Sequence, residues 1–173
     1  MGIIEFIVAF ILCVALSIPG ITHSIVGAFR YKSGFKYVDN AFGKGARALD
    51  IFGNVAYGTM LNDWFIKKGG YHYGQGSEKV SSAAGKNWII GKATPLGLGL
   101  AGTLNLIDFK NWKNGGHCWV YVEGDTEYYH SLPYPGRVKW YYTASFIIIA
   151  SILLYLSFKL VKWIYLLQFT LFS

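Results

Sequence analysis

Two long apolar segments stand at opposite ends of this 173-residue chain, Ile3 to about Phe29 and Trp140 to Phe158. A bilayer core is about 30 Å thick, so roughly 20 apolar residues at 1.5 Å each cross it as a helix. Both segments meet that length. The expected fold class is therefore mainly α: two transmembrane helices flanking a small, mostly helical, Gly-rich middle domain. Three regions follow: 1–29 as the first span, 30–139 as the middle, and 140–173 as the second span with an apolar tail. Only 14% of residues are charged, against about 25% in a soluble domain, which again points to membrane spans.

The middle carries 14 Lys/Arg against 8 Asp/Glu, a net +6. Basic residues gather after the first span (Arg30, Lys32, Lys36, Lys44, Arg47) and before the second (Arg137, Lys139). The Met1–Ile4 flank has none. Positive charge marks the cytoplasmic side of a span. The expectation is a multi-pass protein of an inner membrane with a cytoplasmic middle and both termini outside. Lys159 and Lys162 oppose this mildly and snorkel to the far interface in this reading. Arg30, Lys32 and Lys36, interleaved with Tyr31, Phe35 and Tyr37, suit anionic lipid headgroups. The same charge, with the Tyr and Trp of the middle, leaves a membrane-tethered nucleic-acid binder as an alternative reading, but topology already accounts for the charge, so no nucleic-acid partner is expected. A cleaved signal peptide is the rival reading of the N-terminus. It wants a basic n-region, where this chain has Glu5. Pro19–Gly20 kinks or ends the first span.

Asp39 and Asn40 read as N-caps of a helix from Ala41 to about Lys67, with Leu49, Phe52, Ala56 and Met60 as its apolar stripe and Gly69–Gly70 as its stop. Ser77 starts a short helix ending near Trp88–Ile90. Thr94–Pro95 starts another, Leu96 to Ile107, too short to span. Asn111 to Gly116 reads as a polar loop and Trp119 to Val122 as the one strand.

Few motifs carry chemistry. Gly97-Leu-Gly-Leu-Ala-Gly102 matches a bare G-x-G-x-x-G string, but no strand precedes it, and close helix packing through small residues explains it. No cofactor is expected. His117–Cys118 is the most reactive pair by composition. Neighbours point apart, so a base for Cys118 has to come from elsewhere, such as His72 or His130. Cys118, aided by His117, is the candidate nucleophile of an alternative hydrolase reading. His72, His117, Cys118 and His130 lack paired zinc spacings, so no metal is expected. Cys13 and Cys118 form no disulfide in this topology. Asp50, Asp63, Glu78 and Asp108 read as caps or as partners of Lys79, Lys86 or Lys110.

The run Asp50-Ile-Phe-Gly-Asn54, the Gly69–Gly70 turn, Ser77-Glu78-Lys79-Val80-Ser81-Ser82, and Ile107-Asp108 followed by His117-Cys118 resemble a group of small tailed-phage proteins of unestablished activity. The resemblance spans 50–118. It departs at Ser77-Glu78-Lys79, where the group often has Asp-Glu-Thr, and at Ala83, where it usually has Arg. The membrane spans are additions. It implies a phage or prophage origin and singles out Asp50, Asn54, Glu78, Ser81, Ser82, Asp108, His117 and Cys118. The resulting expectation is an accessory protein at the host inner membrane, in superinfection exclusion or lysis control, with the bilayer and a host or phage membrane protein as partners.

Overall fold

The computed structural model describes residues 2–30 and 34–172, and they are mainly helical. In chain order the helices are α1 (Gly2–Arg30), α2 (Phe35–Ala56), α3 (Gly58–Phe65), α4 (Val80–Ile89), α5 (Pro95–Ile107), a 3₁₀ turn (Phe109–Asn114), α6 (His117–Val120), α7 (Thr126–Ser131) and α8 (Trp140–Phe172). The chain divides within α2 into two compact units, 1–49 and 50–173.

In the first unit α1 runs unbroken through Pro19 for 29 residues, about 44 Å. Pro19 thus does not end it. Ser17 and Ser24 donate their hydroxyls to the carbonyls four residues back, at 2.7 and 2.9 Å. This keeps a polar side chain satisfied on an apolar helix. A Cβ at Gly27 would meet the Tyr37 ring at 2.5 Å. Gly27 therefore lets the start of α2 lie close to the end of α1.

In the second unit α4 is the centre: Ser81 through Ile89 are all buried. Around it Leu61, Phe65, Tyr73, Ala83, Ala84, Trp88, Ala101 and Cys118 form the main core. Small residues dominate because the helices approach closely. A Cβ at Gly85 would overlap the Cys118 carbonyl, joining α4 to α6. Gly97 sits likewise on the Phe65 carbonyl, and Gly99 and Gly102 sit on Phe146 and Thr143 of α8. The G-x-G-x-x-G string is thus a packing surface with two faces. Phe65 and Phe146 meet edge to face at 6.0 Å.

Several expected elements differ. The single helix of 41–67 is two. It begins at Phe35, so Asp39 and Asn40 lie inside it. It breaks at Tyr57, where Gly58 packs on Gly74, whose Cα would lie 2.8 Å from an added Cβ. It stops at Phe65 because Ile66 becomes extended and bridges Ala93. There Lys67 N donates to Lys92 O and Thr94 N to Phe65 O. The short helix starts at Val80 rather than Ser77. Thr94 caps α5 as expected, its Oγ1 accepting from Gly97 N at 3.2 Å. The 111–116 loop is largely 3₁₀, and in place of the expected strand at 119–122, Trp119–Val120 end the short helix α6 and Tyr121 turns out of it. Aromatic, β-branched residues favour strands only where a neighbouring strand accepts them, and none is present among the described residues.

Among the described residues one segment, Trp140–Trp163, is long and apolar enough to cross a membrane. The helix continues beyond it to Phe172.

Gly85→Ala forces α4 off the α6 backbone and lowers stability by about 1–3 kcal/mol. Chemical denaturation in detergent checks this, and an unchanged midpoint would contradict the packing described.

Candidate functional site

Asp50 and Asn54 are one helical turn apart on α2 and reach the same neighbours. Asp50 accepts from Ser81 twice, from the backbone N–H at 3.2 Å and from Oγ at 2.6 Å. Lys79, at the N-cap of α4, makes no side-chain cap. Asp50 therefore serves as a remote cap, a carboxylate on the positive end of α4. Asn54 is completely buried. Its Nδ2 donates to Gln75 O and Glu78 O at 3.1 and 3.0 Å, and its Oδ1 accepts from Gly74 N at 3.1 Å. It holds the 74–78 loop in place of regular structure.

Glu78, Ser82 and Lys86 follow at steps of four. Glu78 Oε1 accepts from Ser82 Oγ at 2.5 Å and from Lys86 Nζ at 2.7 Å, and its Oε2 accepts from Tyr71 OH at 2.6 Å. The two charged side chains are only 7% and 5% exposed. Lys86 Nζ also lies 4.0 Å from the Tyr71 ring centre and 5.5 Å from that of Tyr129. Burial together with the bond to Glu78 pushes the Tyr71 hydroxyl well above its usual range. Ser82 Oγ in turn accepts from Glu123 N at 2.8 Å. Lys79 and Glu123 pair at 3.1 Å on the rim. Asn87 closes the far side, bonded to both Tyr71 backbone groups and to Ala83 O. The expected pairing of a carboxylate with Lys86 is realised at Glu78.

This arrangement binds α2, α4 and two loops together through charge. As a reaction centre it is closed. Ser82 Oγ is held as donor and acceptor at once, and Lys86 is committed to a carboxylate. A nucleophilic serine needs a free base and access.

A second cluster lies at the start of α6. Asp108 Oδ2 is 2.8 Å from His117 Nδ1 and accepts from Asn111 Nδ2 at 2.7 Å. Burial raises the Asp108 carboxyl, but the bonds from Asn111 and His117 outweigh it and hold it below its usual value. His117 also rests against Tyr121, ring centres 4.7 Å apart.

The structure places Cys118, the candidate nucleophile, inside the core. The thiol is completely buried, its Sγ 3.7 Å from Ala101 O. Burial, aided by the Asp50 charge, pushes it far up, away from thiolate. Its N–H is held by Asn105 Oδ1 at 2.7 Å. Of the four residues weighed for zinc, His117 bonds Asp108, His130 lies 2.9 Å from Trp119 O, Cys118 sits in the core and His72 is exposed.

Of the residues singled out by sequence, Asp50, Asn54, Glu78, Ser81 and Ser82 meet in one network. Asp108 and His117 form the second pair. Arg30 and Lys36 are exposed near the junction of α1 and α2, and Lys32 lies outside the described residues. Tyr71, Asn87 and Glu123 were missed. The i, i+4, i+8 spacing of Glu78, Ser82 and Lys86 was the available signal for that part of the network. Comparison with protein-family models, curated proteins and solved structures finds no match.

Lys86→Met leaves Glu78 buried and uncompensated and costs about 3–5 kcal/mol. Adding Glu78→Gln restores much of that loss. Denaturation midpoints of the two singles and the double measure the coupling, and simple additivity would show that the pair is not one unit.

Because Asp108 is held below its ordinary 3.8, its stabilisation is full above that value and is lost as pH falls through the folded one. The Tm gap between wild type and Asp108→Asn is therefore open at about pH 5 and closes as pH falls below about 4. A gap that persists in acid would show that the carboxylate contributes nothing through its charge.

Proposed function

We propose that this chain is a non-enzymatic accessory protein of phage or prophage origin, anchored in the host inner membrane and acting there by contact. One observation carries the membrane part. Beyond the first turns, which pack on α5, the Trp140–Trp163 segment presents a long apolar surface that nothing in the fold covers, with Leu154 and Phe158 about two-thirds exposed or more (74% and 68%). Such a girth in water exposes far more apolar surface than a soluble protein tolerates. α1, at 29 residues, is the second span in this reading. Basic residues flanking both, Arg30 to Lys36 and Arg137 to Lys139, put the intervening domain on the cytoplasmic side.

The closed network supports action by contact. Its polar groups bind one another rather than a substrate, and the Cys118 thiol has no route to one. The phage origin rests on the resemblance, five of whose residues, from the two stretches 50–54 and 78–82, serve one network. Superinfection exclusion or control of lysis is the role we assign.

Three measurements decide this. After expression in a bacterial host the protein stays with the membrane pellet through carbonate washing. Because Cys118 is shielded, topology needs a new probe: Lys113→Cys on a Cys13→Ser background. A membrane-impermeant thiol reagent labels it only after permeabilisation. Cells making the protein then show reduced plating of a challenging phage, or altered timing of lysis. Release by carbonate, or labelling of intact cells, or unchanged plating and lysis timing each sinks the corresponding part.

A further inference from the structure

A cavity of about 480 Å³ opens between the second half of α5, the Gly115–Gly116 turn and the first turns of α8. That volume is within the roughly 300–1,000 Å³ of small-molecule sites. Gly102 and Leu106 form one wall. Trp112 forms another and is fixed, its Nε1 donating to Asn105 O at 2.8 Å and to Leu106 O at 3.2 Å. Gly115 and Gly116 adopt φ of 99° and 93°. A side chain on Gly116 would strike Asn105, so the turn stays bare where it borders the opening.

The third wall is the informative one. Trp140, Thr143, Ala144 and Ile147 line the cavity. Their spacing of three, four and seven makes one stripe of α8. The same stripe is the beginning of the membrane-crossing segment. In the membrane reading above, the cavity lies beside the helix where it enters the bilayer. At its outer lip stands Arg137, exposed, with Tyr134 and Trp140 beside it. No acidic side chain lines the cavity, and no carboxylate pairs with Arg137 among the described residues. Apolar walls beside a long apolar helix, one unpaired cation and flanking Tyr and Trp are the features of a lipid site.

We propose that this cavity holds one acyl chain of an anionic bilayer phospholipid, whose phosphate group pairs with Arg137. The proposal rests on the membrane reading above and names a site that the basic stretch Arg30–Lys36 does not include.

The test uses the full chain in detergent, titrated with phosphatidylglycerol and with phosphatidylcholine of the same chains, and reads retained lipid by native mass spectrometry. Wild type retains phosphatidylglycerol about fivefold better, the size of one cation's contribution near a charged surface. Arg137→Gln, an exposed position that leaves packing intact, removes that preference. Ala144→Trp fills the cavity and lowers retention of both lipids with helical content unchanged. Equal retention of the two lipids by wild type overturns the proposal. So does undiminished binding by a folded Ala144→Trp. Displacement by inorganic phosphate alone reduces the site to an anion site and also overturns it. A protein that stays in the carbonate-washed pellet yet shows no preference refutes this site and leaves the membrane reading standing. Release by carbonate refutes the membrane reading itself.

Discussion

The 50–173 unit is organised around a charged pair taken out of water. Glu78 and Lys86 meet at 2.7 Å with almost no exposure. Such a pair is tolerated only where every remaining donor and acceptor is met. Here Ser82 and Tyr71 complete the carboxylate, and two aromatic rings face the ammonium. To satisfy them the chain has to bring the 71–78 loop, α4 and the Glu123 backbone together. Asp50 and Asn54 then hold α2 against the same loop and helix. The apolar core beside this network is small, built from alanines, a cysteine and a few large rings. Directional bonds rather than apolar volume specify how α2 and α4 meet.

Close approach is the second constraint. Gly85, Gly97, Gly99 and Gly102 each stand where a methyl group would meet a neighbouring backbone or side chain. Removing side chains there lets helices of eight to thirteen residues pack tightly enough to form a core at all. The same feature couples α5 to α8, so the long apolar helix is set directly on the folded unit.

The helical class was readable in the apolar periodicity, and so were the α5 cap at Thr94 and the long apolar helix from Trp140. These depend on local chemistry: a hydroxyl before proline, and a run with no charge. Helix ends were less readable. The break at Tyr57 follows from Gly58 meeting Gly74, and the stop at Phe65 from Ile66 pairing with Ala93. Both partners lie far along the chain. The resemblance drew attention to Asp50, Asn54, Glu78, Ser81 and Ser82, but not to what they do. Tyr71, Asn87 and Glu123 complete the network through contacts that no short motif encodes.

By itself the sequence determined that the chain is mainly helical, that its second end carries a helix fit for a bilayer, and that its basic residues flank apolar segments. Each is a property of composition and short-range spacing. Only the tertiary structure decided what the polar residues are for. Burial put the Cys118 thiol in the core and pushed it away from thiolate, although it stands beside a histidine. The same folding turned Glu78, Ser82 and Lys86 into a closed clamp and left Arg137 unpaired at the mouth of a cavity. Reactivity depends on access and on partners brought from distant parts of the chain, and these exist only once the helices have packed.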